Sequence, residues 1–113
     1  MTALQTSSAL KVARVDLTTT NNTTLYTAPS RYDSIVESII VSEDSGNADT
    51  INVTITDAAS AVFNLFKVKS ISANGTVELL SRDLLLVAGD ILKVQAATAN
   101  RLHVVASITE IPR

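Results

Sequence analysis

Few side chains in this 113-residue chain are of the types that do chemistry. His103 is the single imidazole, so a multi-histidine metal site is excluded. It stands between Leu102 and Val104 in an alternating run, on the face opposite Leu102, Val104 and Ala106 and toward solvent or a neighbour. Ser and Asp are frequent enough for a Ser–His–Asp grouping to arise by chance, and no nucleophile-elbow motif accompanies them. Glu43, Asp44, Asp49 and Asp57 form an acidic neighbourhood around one loop. Calcium sites use such oxygen ligands, yet the spacing departs from the EF-hand pattern, and a solvated loop is the simpler reading. The sequence has no cysteine, which removes disulfides and thiolate metal sites and fits a reducing compartment. We therefore expect no catalytic residues, no metal and no cofactor: not an enzyme.

Other motifs reduce to composition. The sequons at Asn21, Asn22, Asn52 and Asn74 are what a chain rich in Thr and Asn produces by chance. Lys67 and Lys69 share one strand face with no interleaved aromatic to stack a base, and the formal charge of −2 offers nucleic acid no basic surface. No stretch approaches the roughly 20 apolar residues that span a bilayer as a helix. The start of the chain lacks the charged and apolar regions of a signal peptide, so no cleaved leader is expected.

What the sequence has in abundance is strand. Ile51–Thr56 alternates apolar and polar without a break. Leu10–Leu17 reads as a first strand with a change of face near Ala13–Arg14, and Leu25–Pro29 as a short one ending at its proline. Further runs lie at Asp33–Glu43, Val62–Val68, Val77–Leu80, Leu84–Val87, Ile91–Ala97 and Leu102–Ile111. Asp57–Ser60 reads as a tight turn and Ala88-Gly89-Asp90 as another. Asn74-Gly75 is the strongest hairpin signal, since a type I′ turn needs positive φ at both central residues. The last two runs read as a final antiparallel pair. With turn signals about every 8–12 residues and no helical period, the pattern predicts an all-β fold: one antiparallel β-sandwich, jelly-roll or Ig-like, of about seven to nine strands. Residues 9–113 form that domain, and Met1–Ser8 is a polar N-terminal arm.

The strand pattern carries one excess. Leu84-Leu85-Leu86-Val87 and Ile39-Ile40-Val41 are apolar on both faces, and at roughly 25 cal/mol per Å² an uncovered apolar face forgoes several kcal/mol. Either a loop or the arm covers the outer side, or it is a subunit interface. The interface reading singles out Leu84, Leu85, Leu86 and Val87, with Leu4 of the arm as a further contact in an apolar groove of another subunit. The alternative has the arm folded back along its own sandwich.

Leu25-Tyr-Thr-Ala-Pro29, the strand Ile35–Val41, Ile51–Thr56, the run Leu84–Ala96 around Ala88-Gly-Asp90, and Leu102–Ile111 together resemble small β-rich virion structural proteins of tailed bacteriophages, over most of Leu25–Ile111. The Ala88-Gly89-Asp90 turn with the strand after it is the most specific piece. The resemblance implies a non-enzymatic capsid decoration (cement) protein, seated on the major capsid protein or other virion proteins. It further implies a homo-oligomer, a trimer, in a virion assembled in the host bacterial cytoplasm. The alternatives are a neck, tail or fibre-attachment module, and a receptor- or carbohydrate-binding sandwich. Against the last, only Tyr26, Tyr32, Phe63 and Phe66 supply aromatic rings.

Overall fold

A computed structural model describes residues 8–113. Among them there is no helix, and nine strands appear: β1 (Ala9–Asp16), β2 (Thr23–Thr27), β3 (Tyr32–Glu43), β4 (Asp49–Thr56), β5 (Val62–Ile71), β6 (Thr76–Glu78), β7 (Leu84–Leu86), β8 (Ile91–Ala96) and β9 (Leu102–Pro112). They form two antiparallel sheets. The first runs β1-β9-β3-β6, with β7 also on β3; the second runs β2-β8-β4-β5. β6 takes Ile40–Ser42 of β3 and β7 takes Ser34–Val36, so the two short strands act as one interrupted edge strand. Counted that way, eight strands divide four and four in jelly-roll order. Of the two expected sandwich topologies, this is the jelly roll.

Alternation decides which faces meet. In β9, Leu102, Val104, Ala106 and Ile108 point inward, and in β8 Leu92, Val94 and Ala96 answer them from the opposite sheet. Val36, Ile39 and Val41 of β3 and Ile51 and Val53 of β4 complete an aliphatic layer without tryptophan or phenylalanine at its centre. Each fully buried Val, Leu or Ile contributes about 1.5–3 kcal/mol of transfer free energy, which is how a core this poor in aromatics holds.

Several connections differ from the sequence expectation for one physical reason: neighbours in sequence lie in opposite sheets. Among the described residues, only β4 and β5 are sequence neighbours joined in one ladder. There Asp57 closes the turn, its Oδ1 accepting the N–H groups of Ala59 and Ala61 at 2.9 Å each. β8 and β9 lie in different sheets, so they are not the antiparallel pair expected. Asn74-Gly75 likewise is no hairpin, because it carries the chain from β5 to β6, across the sandwich. Only Asn74 has positive φ, 56°, and the turn closes with the Gly75 N–H on the Ser72 carbonyl at 2.9 Å. The glycine is needed for close approach: a Cβ there would sit 2.9 Å from the Ser72 oxygen. Ala88-Gly89-Asp90 does turn as expected, with Gly89 at φ 88°. Val87 donates its N–H to Asp90 Oδ2 at 2.9 Å while Asp90 donates its own to the Val87 carbonyl at 3.0 Å.

The first strand also corrects the reading. β1 pairs with β9 in unbroken register from Ala9–Glu110 to Asp16–His103, so there is no change of face near Ala13. The pattern looked broken because the strand is apolar on both sides, Leu10 and Val12 outside, Ala13 and Val15 inside.

Candidate interaction surface

The outer side of the β1-β9-β3-β6/β7 sheet bears Leu10, Val12, Ile40, Leu85, Val87 and Ile111 of the exposed large apolar residues described, and β5, at the edge of the other sheet, bears Val62, Phe63 and Val68. Partners directly opposite in an antiparallel ladder share a face, so the registers define rows across the sheet. Leu10, Thr109, Ile35 and Leu85 make one row; Arg14, Val105, Ile40 and Glu78 make another; Asp16, His103 and Ser42 lie in a third. Val12 stands between the first two rows on β1, opposite Ser107. Leu10 is 84% exposed, Val12 59% and Leu85 57%, and Val87, just past β7, is 49% exposed. The apolar end of the face is thus open among the described residues.

The four-residue run Leu84–Val87 resolves into two kinds. Leu86 is fully buried in the core and Leu84 packs against it, which leaves Leu85 and Val87 as the pair that a partner can touch. Ile39 and Val41 are likewise core, with Ile40 between them outside. Leu4 lies outside the described residues.

His103 sits at the polar end of the same face, as its place in the alternation requires. Its Nδ1 lies 3.4 Å from Asp16 Oδ1 and its Nε2 3.1 Å from Asp44 Oδ1. Asp16, His103 and Ser42 do follow one another across three strands in the order of a catalytic triad. Asp44, however, occupies the imidazole nitrogen that a serine would need.

Several other carboxylates are held by backbone N–H groups. Glu43, buried at the end of β3, accepts the Ser45 N–H at 2.7 Å, the Asn74 N–H at 2.9 Å and the Gly46 N–H at 3.1 Å, and the Ser45 hydroxyl as well. Burial by itself raises a carboxyl's pKa, but these donors outweigh it and hold Glu43 at about 2. The side chain staples the β3–β4 crossing to the β5–β6 crossing. Asp49 accepts the Thr98 N–H at 3.1 Å. No three of these carboxylates converge among the described residues. Glu78 fills the gap between β6 and β7, accepting the Ile39 N–H at 2.8 Å, the Leu80 N–H at 3.2 Å and the Ser38 hydroxyl. Burial opposes its ionisation, yet those hydrogen bonds prevail and keep it below the usual carboxylate range.

A polar cluster joins the sheets beside the apolar face. Tyr26 on β2 donates its hydroxyl proton to Glu110 Oε2 at 2.5 Å and accepts from the Ser34 hydroxyl at 2.8 Å. Burial, then the bond to Glu110, pushes Tyr26 up to about 12. Glu43 and Glu110 both occupy inward positions of their strands, and that placement was the sequence signal for buried, partnered carboxylates. The rows of the outer face had no such signal, since they depend on which strands pair.

The surface concavities are open grooves. One at the ends of β4 and β5 is lined by Ala48, Asp49, Thr50, Ser70, Ile71 and neighbours, and its one ionisable group is the committed Asp49.

No protein-family model matches this chain, and no curated protein matches it. Among solved structures it is similar to a chain of the acidic stable capsid structure of Helicobacter pylori bacteriophage KHP30. The TM-score is 0.59 at 16% identity, over 96% of this chain and 94% of that one. A pentameric capsid protein from metagenomic phage sequences gives a TM-score of 0.48 at 23% identity, over 91% of this chain and 61% of that one. Eiger TNF from S. frugiperda gives 0.43 at 13% identity, over 96% and 92%. The first of these shows a shared fold from end to end of both chains.

Proposed function

We propose that this chain is a non-enzymatic structural protein of a phage virion, and that it acts as a capsid decoration protein across the junctions of the major capsid protein. The observation that carries the proposal is the end-to-end match of its jelly roll, TM-score 0.59, to a chain within a phage capsid structure. The jelly roll is a recurrent architecture of capsid domains, although a fold alone does not assign a function. The surface supports the same role. A rigid sandwich with exposed apolar residues on one sheet face, among the described residues, suits adhesion. Repetition over a shell makes a modest contact per copy large in total.

The contact residues we propose are Leu85 and Val87, in place of the whole Leu84–Val87 run. Leu4 of the arm Met1–Ser8 is proposed as an added anchor on a neighbouring subunit. The trimer expected for this role rests on the apolar excess at Leu84–Val87 and Ile39–Val41 together with the family resemblance. The test is a particle assembled without this protein, to which the purified protein is added back. Decoration predicts saturable binding, a rise in the temperature at which the particle releases its genome, and loss of binding on Leu85→Lys. Particles indifferent to the protein in both respects refute the role.

A further inference from the structure

The geometry points to a two-fold contact between two copies of this chain, made face to face through the outer side of the β1-β9-β3-β6/β7 sheet. A two-fold axis lying along the strands between β9 and β3 turns the sheet over onto itself. β1 of one copy then lies over β6/β7 of the other, and β9 over β3. Under that operation Leu10 meets the partner's Leu85, Thr109 meets the partner's Ile35, and Val105 meets the partner's Ile40. Arg14 meets the partner's Glu78. Each pair occurs twice. Leu10 with Leu85 and Val105 with Ile40 are apolar pairs, Thr109, whose hydroxyl is donated to Glu37, meets Ile35, and Arg14 lands on Glu78 at the far edge.

The parts are available for this. Arg14 has no ion-pair partner among the described residues, where His103 and Arg113 do. Glu78 is fixed by the Ile39 and Leu80 N–H groups, so its charge is pre-positioned and costs little ordering on contact. Leu10 and Leu85, at opposite edges, are among the most exposed large apolar residues described. Sheets packed face to face cross at about 30°, which displaces edge residues by about one residue's length, within reach of Leu and Arg side chains. A capsid partner of arbitrary surface has no reason to demand this internal symmetry, and a second copy does. The inference goes beyond the virion reading: in the free protein the face bearing Leu85 closes a two-fold dimer in place of the trimer expected from the resemblance, and that dimer parts when the face docks on the shell. Because it concerns the isolated protein, it can fail while that reading stands, and the reverse.

The experiment is sedimentation equilibrium of the full chain, from micromolar to about a hundred micromolar. The expected species is a dimer, twice the 12.0 kDa of the chain. Leu85→Lys, at an exposed position, should keep the strand circular dichroism and, in dilute solution where both proteins are monomers, the melting temperature, while weakening dimerisation about a hundredfold. Leu10→Glu added to Leu85→Lys should restore dimerisation, because position 10 meets position 85 only between copies. Within one copy the two positions are three strand spacings apart, about 14 Å. A wild type that stays monomeric throughout overturns the proposal. So does a trimer, or a dimer unaffected by Leu85→Lys, and so does a double variant no tighter than the single one.

Discussion

The hydroxyl of Tyr26 gives the sharpest stability prediction. It joins β2, an edge strand of one sheet, to Ser34 and Glu110 on the facing sheet. Tyr26→Phe keeps the ring packed against the core and removes one oxygen. Ser34 and Glu110 then remain largely buried, with the hydroxyl and the carboxylate each losing its cross-sheet partner. A hydrogen bond to a charged group is worth about 1.5–3 kcal/mol. The ring is only half-buried, so the lower part of that range applies, and about 2 kcal/mol is expected. For a domain of this size that lowers Tm by about 8 °C. Urea unfolding gives the free energy directly. Tyr32→Phe, whose hydroxyl makes no hydrogen bond among the described residues, is the control and should change stability by less than about 0.5 kcal/mol. The same cluster sets an alkaline limit. Tyr26 is raised in the fold to about 12, so its contribution is complete below the unfolded tyrosine value near 10 and is lost as pH rises toward 12. A Tyr26→Phe protein within 0.5 kcal/mol of wild type, or one with an unchanged alkaline unfolding limb, refutes the reasoning.

Three further outcomes follow. Glu43 and Glu78 are lowered in the fold, Glu43 to about 2, so stability holds above the unfolded glutamate value near 4.5 and falls as pH drops toward 2; Glu43→Gln should flatten the acid limb of a Tm-against-pH curve. Leu86→Ala empties a fully buried site and should cost about 2–5 kcal/mol, whereas Leu85→Ala, one residue away and exposed, should cost less than about 0.5, both read by urea unfolding. Val68 is a β-branched residue at φ 53°, in a bulge where Asn52 Oδ1 takes its N–H at 2.7 Å; Val68→Gly should raise stability by about 1 kcal/mol, since its side chain is exposed and buries little.

The sequence disclosed the strands well and their partners poorly. Ile51–Thr56 and Leu102–Ile111 alternate because one side of each is core, and alternation is local. Pairing is not local: β1 finds β9 at the far end of the chain, and β3 takes β9 on one edge and β6 and β7 on the other. Turn chemistry misled at Asn74-Gly75 because a left-handed Asn serves a crossing between sheets as well as a hairpin. The same limit governs the surface. Leu84–Val87 was visible as an excess, but telling Leu85 from Leu86 requires knowing which side of β7 faces β8 and β4. The pairing of Arg14 with Glu78 across a row requires the whole strand order.

Cryo-electron microscopy of the particle that carries this protein tests the central claim most directly. The expected density is a nine-strand sandwich repeated over the junctions between major capsid subunits, with the face bearing Leu85 and Val87 buried in a contact. Particles whose shell lacks that density, or that hold the protein only at a neck or tail with this face open to solvent, contradict it.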